Sequence, residues 1–196
     1  SEIMSSIGGD NKINQTLLSG YYDNFNKAVD RVFSSPSDLS TRLKSSVARF
    51  SAYKANKVTS LLNDVRNKYK KDSEYKEVAK AVLNTYNRYQ ATEYNTAVAR
   101  CRTAKQWENF MDPTNRRALP NIRWIPSRSS QRRDIHIPFY NRVWAKDDPF
   151  WNSNQPGALW NCKCDWAQTS APVTENPQYK SISQKVASVI NDYQGR

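Results

Sequence analysis

The residues best suited to chemistry fall in one stretch, Arg132 to Trp166, which holds the only histidine, His136, and two of the three cysteines, Cys162 and Cys164. Imidazole and thiolate are both zinc ligands, so these three side chains form a candidate metal set, with Cys101 as a conceivable fourth member. Their spacing argues the other way. Structural zinc sites usually pair cysteines as C-x₂₋₄-C, and a single intervening residue strains the chelate. Buried structural thiols are the simpler reading, and the sequence taken alone leads us to expect no cofactor. Three cysteines do not make a disulfide framework, and a Cys162–Cys164 bond would close a very tight ring.

The same stretch holds the parts for metal-independent RNA cleavage. His136 would act as general acid or base, Arg133 and Arg142 would bind phosphate, and Asp134 or Asp147 lies nearby in sequence. Such parts are common in a basic protein, and a lone histidine among aromatic residues is more often a hydrogen-bonded structural group. A Cys162–His136 nucleophile pair lacks a recognisable flanking signature. No glycine-rich phosphate loop, H-E-x-x-H or G-x-S-x-G occurs, so NTPase, zinc-protease and α/β-hydrolase chemistry have no support.

Four of the six tryptophans, Trp144, Trp151, Trp160 and Trp166, stand in this stretch with Phe139, Tyr140 and Phe150. They have the flat faces on which single-strand binders stack bases. Yet Leu, Ile and Val are scarce here, so the aromatic residues are expected to form the core of a small lobe.

The formal charge of +12 on 196 residues points to a polyanionic or acidic partner. From Arg100 to Phe150 eleven Lys and Arg face five Asp and Glu, a net of +6, and nine of the eleven are Arg. Arg grips phosphate through paired hydrogen bonds. The candidate nucleic-acid contacts are Arg116, Arg117, Arg123, Arg128 and Arg132. No apolar run approaches the ~20 residues of a membrane span, and the start of the chain lacks a signal-peptide layout, so no membrane partner is expected.

The elements that must hold these residues are mostly helical. Residues 1–14 read as a flexible arm. From Gln15 to Phe33 apolar residues recur at three- and four-residue steps, the period of a helix with one buried face. SSPSD then predicts a boundary, with Ser35 as cap, Pro36 in the first helical position and Asp38 in the first turn. A second helix is predicted from about Pro36 to Tyr69. After a break at KKDSE, capped by Asp72 or Ser73, one continuous third helix should run to Met111, where Asp112-Pro113 ends it. At 1.5 Å per residue such helices reach roughly 50 Å, which suits a hairpin or stalk.

Beyond Pro113 no helical period is visible. Short strands are predicted at Asn121–Ile125, Ile135–Ala145 and Lys163–Thr169. The fold class is therefore α+β: an elongated helical hairpin or bundle (15–111) followed by a small irregular β-containing aromatic lobe (119–170). As domains this gives a helical region at 15–112, the lobe at 113–171, and a linker with a short C-terminal helix at 172–196.

In order along the chain, F-x-A-x-K at 50–54, ATEYNTAVAR at 91–100, NIRWIPS, R-x-x-H at 133–136, D-P-F-W at 148–151 and N-C-K-C at 161–164 occur. Together they resemble the phage Mu F-like minor head proteins, also called phage head morphogenesis proteins of the SPP1 type, over about residues 45–170. Ser129, Gln131, Gly157 and Lys163 depart from that pattern. The resemblance implies structural motif residues at Arg133, His136, Asp148, Trp151, Asn161, Cys162 and Cys164, and no catalysis. It implies a virion protein made in a bacterial cytoplasm, partnered by portal or major capsid protein and touching packaged double-stranded DNA without sequence preference. Domains of this type also look like carriers in prophage-derived toxins. The alternative is therefore an antibacterial RNase with His136, Arg133 and Arg142 as its catalytic group and an acidic immunity protein as partner; no large toxin module is expected to follow.

Overall fold

The computed structural model describes residues 12–174 and is of the α+β class. Its two compact units part between Arg102 and Thr103. That boundary lies before the 112/113 division read from the sequence, because Trp107 and Phe110 belong to the aromatic core of the second unit.

The first unit is built on α1 (Gln15–Asp30), α2 (Asp38–Lys68), α3 (Asp72–Arg88) and the beginning of α4 (Gln90–Met111). Asn14 starts α1 by accepting a hydrogen bond from Leu17 N at 3.0 Å, while its own N–H donates to Thr59 Oγ1 at 3.1 Å. The last residues assigned to the arm are thus already anchored, and residues 1–11 lie outside the described part. α2 starts two residues later than expected. Ser37, rather than Ser35, is the cap, and its side chain and that of Ser40 reciprocally bind each other's backbone N–H. This satisfies two of the donors that a helix start leaves free. Pro36 therefore precedes the cap, and Asp38 keeps its place in the first turn.

At the next break Lys71 occupies the cap position without a side-chain hydrogen bond, and Asp72 is already helical. Instead of capping, the Asp72 carboxylate pairs with Arg66 across the break at 2.7 Å. The expected single helix to Met111 is interrupted at Tyr89, giving α3 and α4. Neither proline nor glycine marks that interruption, so periodicity ran straight through it. Leu17, Tyr21, Phe25, Ala55, Val58, Leu62, Tyr75, Ala79 and Leu83 fill the core of this unit. All but Ala55 stand on the apolar stripes read from the sequence for α1, α2 and α3, which meet as ridge-and-groove packing of amphipathic helices requires. Among the described residues, no helix is long and apolar enough to cross a membrane.

The second unit carries the end of α4, a short helix α5 (Pro113–Ala118), and strands β1 (Asn121–Ile125), β2 (Val143–Ala145) and β3 (Asp165–Thr169). Residues 113–118 were expected to be irregular. Asp112 instead caps α5 by accepting from Thr114 N at 2.9 Å and Asn115 N at 3.3 Å, with Pro113 at the first helical position, where its missing N–H costs nothing. The sheet is antiparallel with order β2-β1-β3. β1 occupies the predicted range, whereas the strand predicted over 135–145 shrinks to Val143–Ala145. Ile137–Phe139 forms a 3₁₀ turn instead, with Pro138, which cannot donate to a ladder, in its first turn. The linker is described only to Thr174, which accepts from Val143 N at 3.0 Å through Oγ1; the expected C-terminal helix lies outside the described residues.

Candidate functional site

The core of the second unit is aromatic, as expected, and its membership differs by position. Phe110, Trp124, Phe139, Trp144, Phe150, Trp151 and Trp166 are buried with Ile122, and Trp107 and Tyr140 pack against them. Trp160, assigned to this core from sequence, is 45 % exposed. Trp144 stacks on Phe150 at 4.0 Å between centroids and 5°. Trp124 meets Phe139 edge-on at 5.3 Å. These offset and edge-to-face geometries are the favourable ones for aromatic quadrupoles. Since the rings face one another, they are not available as a base-stacking platform.

Polar groups lock this core at its ends. Asp148 accepts from Phe150 N at 2.8 Å and starts a 3₁₀ turn, Pro149–Asn152. Trp151 Nε1 donates to the carbonyl of Ala145 at 2.9 Å. Lys146, read from the sequence as part of the basic excess, is 2 % exposed. Its ammonium donates to Phe110 O at 2.6 Å, Gln168 Oε1 at 2.8 Å and Asn115 O at 3.2 Å. It thereby satisfies carbonyls at the end of α4 and in α5, and burial pulls its pKa down. No residue-type signal separates this lysine from its solvated neighbours; only its alternation with the buried Trp144 hints at it.

Against this core lies the predicted cluster. His136 Nδ1 is 3.7 Å from Cys162 Sγ and 3.5 Å from Cys164 Sγ. The three ligand atoms all lie within 4.8 Å of one another. His136 follows a turn in which its N–H donates to Arg133 O at 2.9 Å, and its ring meets Trp124 edge-on at 5.2 Å. Arg133 reaches from that turn to the carbonyl of Trp160 and ties it to the cysteine segment. Asn161 takes a positive φ of 55°, a conformation that asparagine tolerates better than most residues. From Cys162 to Trp166 burial then alternates, with Lys163 and Asp165 outward.

That alternation corrects the spacing argument. In an extended segment residues i and i+2 face the same side, so Cys-x-Cys delivers both sulfurs to one point. The two thiols shift in opposite directions through each other: Cys162 is pulled down, chiefly by the hydrogen bond from Cys164 and also by His136 and the backbone N–H groups of Gly157 and Cys164. Cys164 is pushed up by the same Cys162 partner and by burial. Cys101, the conceivable fourth ligand, is buried in the first unit with its thiol raised to about 11 by desolvation. Among the described residues no fourth His, Cys, Asp or Glu joins the cluster.

The phosphate-cleaving arrangement is less well served. His136 is 6 % exposed with Nδ1 turned to two sulfurs, and Arg133 is engaged by a carbonyl. Arg142 is exposed, and its carbonyl accepts from Trp124 N at 2.9 Å. The five candidate nucleic-acid arginines are all exposed. Arg116 pairs with Asp147 at 3.4 Å, and Arg132 lies over the Tyr140 ring at 5.8 Å.

In the first unit the structure joins two sequence pieces that had been read apart. Lys54, in F-x-A-x-K, forms an ion pair with Glu93, in A-T-E-Y-N-T-A. Its ammonium also lies over the Tyr21 ring at 4.5 Å. Comparisons with protein families, with curated proteins and with solved structures find no match to this chain.

Proposed function

We propose that the chain is a non-enzymatic structural protein of a tailed-phage or prophage head, a minor head protein that binds portal or major capsid protein and contacts packaged DNA through phosphate. One observation carries the reading. The sequence pieces behind the Mu F-like resemblance are used on one another: Lys54 on Glu93, and Arg133 and His136 on the segment from Trp160 to Cys164. A motif whose polar groups are consumed in holding a fold together suits an assembly part better than a catalyst. The exposed arginines remain for a polyanion, and Lys/Arg contacts to DNA phosphate need no base sequence.

The test is co-expression of the full chain with the portal and major capsid proteins of its own genome, followed by affinity purification. Co-elution with one of them is expected, together with a loss of infectious particles when the gene is deleted. Failure to co-elute with either, and unchanged particle yield on deletion, removes the proposal. If the wild-type chain instead degrades RNA and His136→Ala abolishes this, the RNase toxin with an acidic immunity partner takes its place.

A further inference from the structure

We propose that His136, Cys162 and Cys164 form a zinc site, with His136 bound through Nδ1 and the fourth position of the tetrahedron left to solvent or to an exogenous ligand. The distances fit a tetrahedral centre. With Zn–S of about 2.3 Å and Zn–N of about 2.0 Å, a tetrahedral angle places sulfur and nitrogen about 3.5 Å apart. The two observed separations are 3.5 Å and 3.7 Å. Both sulfur–nitrogen edges thus match a tetrahedral centre, and the two sulfurs lie within 4.8 Å of each other.

The groups behind the sulfurs supply an independent argument. Trp124 Nε1 and the Tyr140 hydroxyl are buried without a hydrogen-bond partner. Both bear on the Cys164 sulfur, and the backbone N–H groups of Gly157 and Cys164 point at the Cys162 sulfur. A neutral thiol is a weak acceptor, whereas a metal thiolate carries the charge that such donors need. Four donors converging on two sulfurs are therefore out of proportion to a pair of structural thiols. Charge balance agrees: two thiolates, a neutral imidazole and Zn²⁺ sum to zero, which suits a site bordered by Trp124 and Phe139. The soft donor set favours zinc over magnesium or calcium. Zinc binds cysteine as thiolate and histidine as neutral imidazole, so uptake releases whatever protons the ligands carry and weakens on acidification. The inference stands apart from the head-assembly reading, since a zinc-locked lobe serves any partner.

The test uses the full chain, purified under reducing conditions, with metal content measured by mass spectrometry. About one zinc per chain is expected, and replacement by Co²⁺ should give the absorption of a tetrahedral centre with a sulfur-to-cobalt charge-transfer band. Cys162→Ser, Cys164→Ser and His136→Ala should each lower zinc affinity at least tenfold. His136→Cys should keep the metal, and Cys101→Ser should bind as the wild type does. Should the ligand variants not fold, alkylation of the wild type decides: zinc protects Cys162 and Cys164, and a chelator restores their reaction. A folded wild type that takes up no added zinc overturns the proposal, as does full binding by the Cys164 variant or protection that ignores the chelator.

Discussion

In the unit ending at Arg102, the interior is filled by many medium-sized side chains brought to one face of each helix by a three- to four-residue period. In the unit beginning at Thr103, three strands of three to five residues surround a core of seven large aromatic rings and one isoleucine. The first gains stability from length and repetition. The second concentrates it in few residues, and must fix them with individual polar contacts because short strands supply little backbone pairing of their own. Loss of one side chain should therefore matter more in the second unit.

The largest effect is expected from Trp151→Ala. Its ring packs against Trp107, Trp124, Trp144, Phe150 and Trp166, and its Nε1 holds Ala145. Deleting a buried tryptophan costs roughly 3–5 kcal/mol, a large part of the stability of any small unit. The near-UV circular dichroism from stacked tryptophans should vanish while the helical far-UV signal persists. If both signals disappear at the same urea concentration, the contrast between the units fails.

Next comes the polar fixture of the helical unit. Glu93→Ala leaves the Lys54 ammonium buried without its carboxylate, a change worth about 3 kcal/mol at the lower end of the range for broken buried pairs. Lys54→Met combined with Glu93→Leu should recover most of that loss, because a buried pair replaced by apolar groups of similar volume is near neutral. Urea midpoints of the two variants check this. A double variant as unstable as the single one would mean that the pair holds the helices by geometry rather than by mutual neutralisation.

Lys146→Met makes the corresponding test in the lobe. The ammonium is replaced by a methyl of similar reach, and the carbonyls of Phe110 and Asn115 and the Gln168 amide lose a donor. A buried acceptor left unsatisfied costs about 1–3 kcal/mol, and the relief of desolvating the charge offsets part of it. A melting temperature equal to that of the wild type would show that Lys146 is buried by accident of packing.

The same contrast explains what could be read from the chain. The stripes of α1, α2 and α3 were legible because a helix repeats its signal, so Leu17, Tyr21, Phe25 or Val58, Leu62 identify themselves through their neighbours. Caps were legible only as clusters. Ser35, Ser37 and Asp38 carry similar side chains, and the choice of Ser37 depends on Ser40 answering it. In the lobe, β1 was readable from Asn121–Ile125, but residues 135–142 have strand-like composition and form turns, since Pro138 and the ring contacts of His136 and Phe139 decide the backbone. The proximity of His136 to Cys162 and Cys164 follows from their place in one compact lobe. The convergence of both sulfurs was not legible, because spacing rules describe loops and this pair lies on an extended segment. The burial of the Trp124 and Tyr140 polar atoms beside Cys164 had no sequence signature at all.

The smallest effect should separate the cysteines of the two units. Cys101 is 2 % exposed, and burial alone raises its thiol from 9.0 to about 11. An acid whose folded pKa is raised contributes stability that is complete below the unfolded pKa and is lost as pH rises through the folded one. Between about pH 9 and 11 the unfolded chain gives up this proton and the native helix keeps it, so the helical unit should weaken across that window. Tyr21, raised to about 12 first by burial and then by Glu93, extends the loss to higher pH. Cys101→Ala removes the thiol and should flatten the lower part of the curve, apart from a small uniform loss from the missing sulfur. Urea midpoints of the far-UV signal at pH 8, 9, 10 and 11 provide the measurement. A wild type and variant that decline in parallel would assign the alkaline weakening to the tyrosines and leave Cys101 without a part in it.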